Sequence, residues 1–456
     1  MRKMRILTTL IILFGIFYAV YNFTPFVNRN SISINIKSPQ EYFSKNKDIV
    51  VNIDDKNAGI QEVSVKIISM NTIITLYDKK IDDKFVKHFS INFKTNKVIP
   101  VGSATLVVSV KDYSKNNFLS GFEKIEKRAV IVDSTKPVVH LLSGISRIKI
   151  TGSAVAVYYV KDDNLENVYL GVTHGNKVDK FKAFSASKIF GKKGVYLSFF
   201  TYPIDKTKNY STDIYAIDKA GNITKAHIPV YYSSIRLKKS KIRISDRFIT
   251  DKVLRIMENE NIGQKSTLLD DFLYINNTER RADTNKIRQV CRNSVNNFLW
   301  KGRFMQLKNS KVEATFGDKR AYYYKGQLVD IKRHMGYDLA SIKNAKVNAA
   351  NNGIVVYEGY LGVYGNTMII DHGFGIFSLY AHLQDFLVKK GAVVKRGQYI
   401  AITDTTGLAG GDHLHFDILI DGYYANPIEW WDKHWIKNNI QSVIDSSKVR
   451  LSLIEQ

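Results

Sequence analysis

Cysteine is nearly missing from this sequence. Cys291 is the only one, so no intrachain disulfide can form. The chain must rely on packed cores, which a hydrophobic content of 45% allows. Val290 and Arg292 flank Cys291 in a helical pattern, and a half-buried structural thiol is expected there. So few thiols suit an exported protein. Acidic side chains are also scarce: Asp and Glu number 42 against 67 Lys and Arg, a formal net charge of +25. That balance favours anionic partners such as nucleic acid, membrane headgroups or acidic wall polymer. No RNA- or DNA-binding motif accompanies it, so nucleic acid is set aside as a partner. Lys and Asn recur along the whole chain, so part of the charge is compositional bias. A small-x-small cleavage site is missing after the apolar run from Ile6 to Tyr21, which comes directly after the basic Met1-Arg2-Lys3-Met4-Arg5. The run is long for a signal peptide and short for a span. Residues 1–23 therefore read as a signal peptide or, better, an uncleaved signal anchor with its basic end in the cytoplasm.

Beyond residue 30 the chain is rich in β patterns. Ser31 to Ile36 and Val63 to Ile67 alternate apolar and polar, while Ile49 to Ile53 is a β-branched run. Asp54-Asp55-Lys56-Asn57-Ala58-Gly59 reads as a turn, and the strand Ala104 to Val110 closes on Asp112-Tyr113-Ser114-Lys115-Asn116. The plan then recurs. Ala154 to Val160 leads into Asp162-Asp163-Asn164, and Ile214 to Ile217 into Asp218-Lys219-Ala220-Gly221-Asn222. The matched turns predict two β-sandwich modules, 30–135 and 136–238, with a seam at Thr135-Lys136-Pro137. They resemble bacterial immunoglobulin-like extracellular modules, which act as a stalk or as docking surfaces for the wall or a protein partner.

From Ser245 the period becomes helical. Ser245-Asp246 would cap a helix carrying Phe248, Val253, Leu254, Ile256 and Met257. Asp283-Thr284 would cap a second one, carrying Ile287, Val290, Cys291, Val295, Phe298 and Leu299. Residues 240–312 thus read as a small helical insert. From about Ala314 short strands return, among them a hairpin at Tyr322-Tyr323-Tyr324-Lys325-Gly326. Strands at 354–357, 367–371, 377–382, 399–403 and 413–420, punctuated by glycine, predict a compact, largely antiparallel β domain over 313–436, with a tail at 437–456.

Five of the ten histidines fall in that domain: His334, His372, His382, His413 and His415. On a strand, His413 and His415 share a face while Leu414 and Phe416 take the other. The bland reading is two solvated imidazoles. The sharper one is a metal site, because His334 stands four residues before Asp338 and Zn²⁺ accepts nitrogen and carboxylate ligands. Either histidine of the pair, with His334 and Asp338, would supply three ligands and leave a position for water. The other, with His382, would serve as general base or as stabiliser of developing charge. His372, after a strand at Asp371-His372-Gly373, reads as structural, and His434, among Trp430, Trp431 and Trp435, as packed.

His-Met-Gly-Tyr-Asp, Tyr-Gly-Asn-Thr-Met-Ile-Ile-Asp-His-Gly, Leu-Tyr-Ala-His-Leu, Val-Lys-Arg-Gly-Gln and His-Leu-His-Phe occur here in that order. Together they resemble the lysostaphin-type (LytM-domain) zinc metallopeptidases over about residues 330–430. The resemblance implies a Zn²⁺ enzyme that cuts peptide cross-links or stem peptides of peptidoglycan. It implies His334, Asp338 and His415 as metal ligands and His382 and His413 as catalytic residues. Many relatives lack ligands and activate amidases instead; here all five positions are filled. The chain departs from the family at Asp404-Thr405-Thr406-Gly407 and Gly410-Gly411-Asp412, where Gly-x-Thr-Gly and Gly-Pro are common, which bears on substrate preference. The expectation is a mainly β, multidomain, wall-directed zinc endopeptidase, anchored in an inner membrane facing the periplasm, or secreted to the periplasm if cleaved. A D-Ala–diaminopimelate cross-link is the expected bond. The alternative is a non-catalytic wall-binding scaffold or activator of an amidase.

Overall fold

A computed structural model of the chain describes residues 2–23, 32–114, 120–204 and 210–454. The protein is mainly β with few helices. Arg2–Phe23 forms a helix. No helix among the described residues is long and apolar enough to cross a membrane. The expected Ser31 and Lys115-Asn116 lie outside the described residues. The chain divides into two compact units: Met1–Val138 with Asp162–Asn167 and Ala216–Thr224, and Val139–Lys161 with Val168–Tyr215 and Lys225–Gln456.

In the first unit two sheets enclose one core. Strands Ile32–Ser38, Ile49–Asp55 and His88–Phe93 form one sheet; Tyr42–Phe43, Glu123–Val132, Gly102–Asp112, Ile60–Ser69 and Thr72–Lys80 form the other. Ile49–Asp55 buries every second side chain, and Ile36, Ile53, Val65 and Val108 meet in the shared core. The turn that closes Gly102–Asp112 hangs on one buried carboxylate. Asp112 accepts from the Ser114 and Phe122 amides at 2.9 and 2.7 Å. Its counterpart Asp218 accepts from the Asn222 amide and side chain, each at 2.8 Å. The matched sequence turns therefore share a feature among the described residues: a buried aspartate accepts from nearby N–H donors.

In the second unit, strands Ser153–Lys161 and Val195–Thr201 pack directly against the C-terminal segment. Glu429 Oε2 accepts from the Ser153 amide at 2.7 Å, Trp430 donates to Ser153 Oγ at 3.1 Å, and Asp421 accepts from the Lys182 amide at 2.6 Å. The expected tail is a helix, Ser442–Ile454, whose Arg450 donates to the Leu142 carbonyl at 3.2 Å.

The insert departs from expectation at one cap. Ser245 does cap its helix, accepting from the Phe248 amide at 3.1 Å. The second helix, however, runs from Leu268 to Val290 and is capped by Thr267, not Asp283. Asp283 sits inside it, and its carboxylate crosses to the Val363 amide at 2.9 Å. The helix ends before Val295, Phe298 and Leu299, which lie in irregular chain. Cys291 is fully buried rather than half-buried. The insert also contributes a strand, Lys239–Ile244, parallel to Lys319–Tyr324. That strand turns through Lys325 and Gly326, both in the left-handed region, into Gln327–Arg333, which is the expected hairpin.

Ten strands make the main sheet of this unit. Its centre is Leu414–Ile420, buried along its whole length between Tyr337–Ala340 and Ile376–Phe386. Every one of these pairings is antiparallel. The register sets Asp338 beside His415, and Ala381 on its other side.

Candidate metal centre

Cross-strand pairing of Asp338 with His415 puts both side chains on one face of the sheet. His334, just before its strand, adds the third group. His334 Nε2 lies 2.8 Å from Asp338 Oδ1 and 3.0 Å from His415 Nδ1, and His415 Nδ1 lies 2.9 Å from the same oxygen. One ligand atom from each residue falls within 4.8 Å of the others.

The remaining atoms of these side chains are engaged away from that point. His334 Nδ1 donates to the Thr315 carbonyl at 3.2 Å. His415 Nε2 stands 3.0 Å from Asp417 Oδ1, in ion-pair range though out of hydrogen-bond alignment. Asp338 Oδ2 accepts from Arg320 Nη2 at 2.7 Å. With the protons drawn outward, lone pairs of two nitrogens and one oxygen converge, and a shared cation is what reconciles them. Electrostatics agree. Burial alone would raise the Asp338 carboxyl, but the surrounding histidines outweigh it and hold it well below the usual range. Burial lowers His415, yet Asp417 and Asp338 outweigh it and lift it to about 9. Burial wins at His334 and lowers it. The cluster is built to hold positive charge, and a histidine–aspartate–histidine donor set with no thiolate fits Zn²⁺.

His382 and His413 flank the cluster. Their ring centroids are 4.8 Å apart, and His382 is 5.8 Å from His415. His413 Nε2 is 3.4 Å from Asp338 Oδ1 while its Nδ1 donates to the Gly411 carbonyl at 2.8 Å. His413 precedes the strand and is held by a single bridge to Asp404. His382 donates from Nδ1 to the Thr406 carbonyl at 2.7 Å, at a φ of 59° that an L residue rarely adopts. Burial, then the neighbouring His413 and His415, push His382 well below its ordinary value, so it is neutral. The loop behind it is pinned by the insert: Lys252 donates to the Thr405 carbonyl at 2.6 Å.

All five predicted residues thus line one cavity of about 290 Å³, together with Arg280, Arg320, Arg333, Tyr364 and Tyr424. His372 lies elsewhere, fully buried between the Asn352 carbonyl and Ser378 Oγ at 2.7 Å each, and burial lowers it to about 4. That is a structural role. His434 is exposed rather than packed. Sequence reading missed Asp417, Arg320, Arg280 and Arg333. Asp417 carried a signal, since it lies two residues beyond His415 on the same strand face. Its carboxylate also explains Gly336, where a Cβ would fall 2.0 Å from Asp417 Oδ1. Arg320 and Arg280 reach the site only through tertiary packing.

Residues 332–427 match the model of Peptidase family M23. The C-terminal part of the chain therefore carries an M23 (LytM-type) peptidase domain. Among similar curated proteins is the DD-carboxypeptidase/endopeptidase Mpg of Neisseria meningitidis, 37% identical over 95 residues, covering 21% of this chain and 22% of that one. The peptidoglycan DD-endopeptidase ShyC of Vibrio cholerae is 30% identical over 193 residues, covering 41% and 42%. The murein hydrolase activator EnvC of Escherichia coli is 34% identical over 107 residues, covering 24% and 26%. The chain thus spans between a fifth and just over two fifths of the length of these relatives.

Proposed function

We propose that the protein is a zinc-dependent endopeptidase acting on peptide cross-links or stem peptides of bacterial peptidoglycan. One observation carries this: His334 Nε2, Asp338 Oδ1 and His415 Nδ1 converge within 4.8 Å on the wall of a cavity that His382 and His413 also line. A bound Zn²⁺ would polarise the scissile amide carbonyl and make a water nucleophilic at neutral pH. His334, Asp338 and His415 would hold it. His382 keeps its proton on Nδ1 against the Thr406 carbonyl, so Nε2 offers a lone pair to the attacking water. That nitrogen takes the water's proton and returns it to the leaving amine. His413 donates from Nδ1 to the Gly411 carbonyl, and with a second proton on Nε2 it would donate to the oxygen on which negative charge develops.

The similarity to named DD-endopeptidases supports a D-Ala–diaminopimelate cross-link as the bond cut. An extracytoplasmic location is in keeping with that substrate, with residues 1–23 as anchor or export signal and the β modules as stalk or docking surface. The similarity to EnvC keeps a second reading in play, a non-catalytic activator of an amidase. The filled ligand and catalytic positions favour the enzyme. Mass spectrometry of muropeptides after digestion by the full chain, with and without chelator, separates the two. The enzyme predicts chelator-sensitive loss of cross-linked species. Intact zinc binding with no muropeptide cleaved would favour the activator.

A further inference from the structure

The cavity holds more positive charge than its metal chemistry requires. Three guanidiniums line it, Arg280, Arg320 and Arg333, against one carboxylate, Asp338, among the described residues. Arg320 is accounted for, because it holds the Asp338 oxygen that faces away from the ligand cluster. The other two meet only neutral acceptors in the hydrogen bonds found for them. Arg280 Nη2 donates to Asn276 Oδ1 at 2.8 Å, and its buried Nε–H has no acceptor. Arg333 Nη1 donates to the Gly317 carbonyl at 3.0 Å. Neither forms an ion pair with a carboxylate among the described residues. A divalent cation at the ligand cluster would add to this excess. Half-buried guanidiniums with no ion-pair partner leave donors to spare, and their forked geometry matches a planar oxyanion.

Resting on the endopeptidase reading, we propose that Arg280 and Arg333 form a carboxylate-binding subsite beside the scissile bond. The protein would therefore select peptides carrying a free carboxylate at that point over the same peptides carrying a carboxamide. Arg280 comes from the helix 280–290 of the insert and Arg333 from the end of the hairpin strand Gln327–Arg333 that leads into His334, so the subsite joins the insert's helix to that hairpin. Arg280 lies outside residues 332–427 and Arg333 inside them, so the preference needs this chain's insert as well as the matched domain. A carboxylate is the fitting anion because the anionic groups of a wall stem peptide are side-chain or terminal carboxylates, and the cavity of about 290 Å³ has room for a group of that size.

The test reads equilibrium binding, so it stands apart from cleavage. Zinc-loaded full chain is titrated with two uncross-linked stem tetrapeptides, alike except that the free carboxylate of the diamino acid is a carboxamide in one. The carboxylate peptide is expected to bind about tenfold or more tightly. Arg280→Gln and Arg333→Gln should each shrink that ratio, and the double variant should bring it near one. A ratio near one in the unsubstituted chain overturns the subsite, as does a preference that survives the double variant. Because each variant supplies its own carboxamide reference, a general loss of fold would lower both affinities and leave the ratio as a clean readout. Failure of the endopeptidase reading would appear separately, as an uncut cross-linked dimer.

Discussion

At the scale of single residues, the two histidines of His413-Leu414-His415 look equivalent in sequence and are not. His415 lies inside a strand, paired on both sides, and its Nδ1 joins His334 and Asp338. His413 lies before the strand with its ring turned by the Gly411 carbonyl. Substitution should separate them. His415→Ala is expected to lose both zinc and cleavage, while His413→Ala keeps stoichiometric zinc and loses cleavage by a hundredfold or more, on the order of general acid–base and charge-stabilising contributions. Metal analysis beside a muropeptide assay checks this, and zinc loss in His413→Ala would reassign that residue as a ligand. Asp417 belongs to the same scale. Its carboxylate beside His415 Nε2 orients the ring, so Asp417→Ala should weaken zinc binding about 10–100-fold by chelator competition. Affinity equal to that of the unsubstituted chain would show that strand pairing alone orients His415.

Among elements, the helix from Leu268 to Val290 shows where local signals stop. Asp283-Thr284 has the composition of a cap, and a capping pattern cannot reveal that the helix began at Thr267. Asp283 instead ties the helix to the turn at Gly362–Tyr364. The contact is close enough that a Cβ on Gly362 would meet Asp283 Oδ1 at 2.5 Å. Burial raises the Asp283 carboxyl to about 7; the Val363 amide and Arg280 oppose that rise, and Glu279 and Glu260 add to it. A carboxyl raised in the folded state gives stability that is full below its unfolded value near 4 and is lost as pH rises towards 7. Asp283→Asn keeps an acceptor for Val363 and removes the titration. The two proteins should melt alike near pH 4, and the variant should be the more stable at pH 8, by a few kcal/mol at most. Asp421 and Glu429, also raised by burial to about 7, remain in both proteins and cancel in the difference. Parallel melting curves across this pH range would show that Asp283 stays ionised. The hairpin at Lys325-Gly326 and the Ser245 cap, by contrast, were legible because turn and cap chemistry is written in a few adjacent residues.

For the whole molecule, sequence rhythm located strands in both halves of the chain, since alternation is a local property. It held no sign that Val139–Lys161 and Val168–Tyr215 form one unit with the catalytic domain, because the contacts that join them are remote in sequence. Ser153 reaches Glu429 and Trp430, and Lys182 reaches Asp421. Phe199 lies 6.2 Å from the fully buried Trp430, and Phe184 stands edge-on to Phe374 at 5.6 Å. A stalk that merely carried its enzyme could be removed without harm. Here removal would bare Trp430 and Phe374 and leave the buried Glu429 without the Ser153 amide, a combination of lost packing and an unsatisfied acceptor that costs several kcal/mol. A chain beginning at residue 139 keeps these contacts and should therefore keep its fold around the candidate metal site and bind zinc. One beginning at residue 240 should melt at least about 10 °C lower or fail to stay soluble. Differential scanning calorimetry of the two truncations decides it: equal transitions would mean that the second module rests on the catalytic domain without stabilising it, and the zinc centre would then owe its rigidity to the main sheet and the helical insert alone.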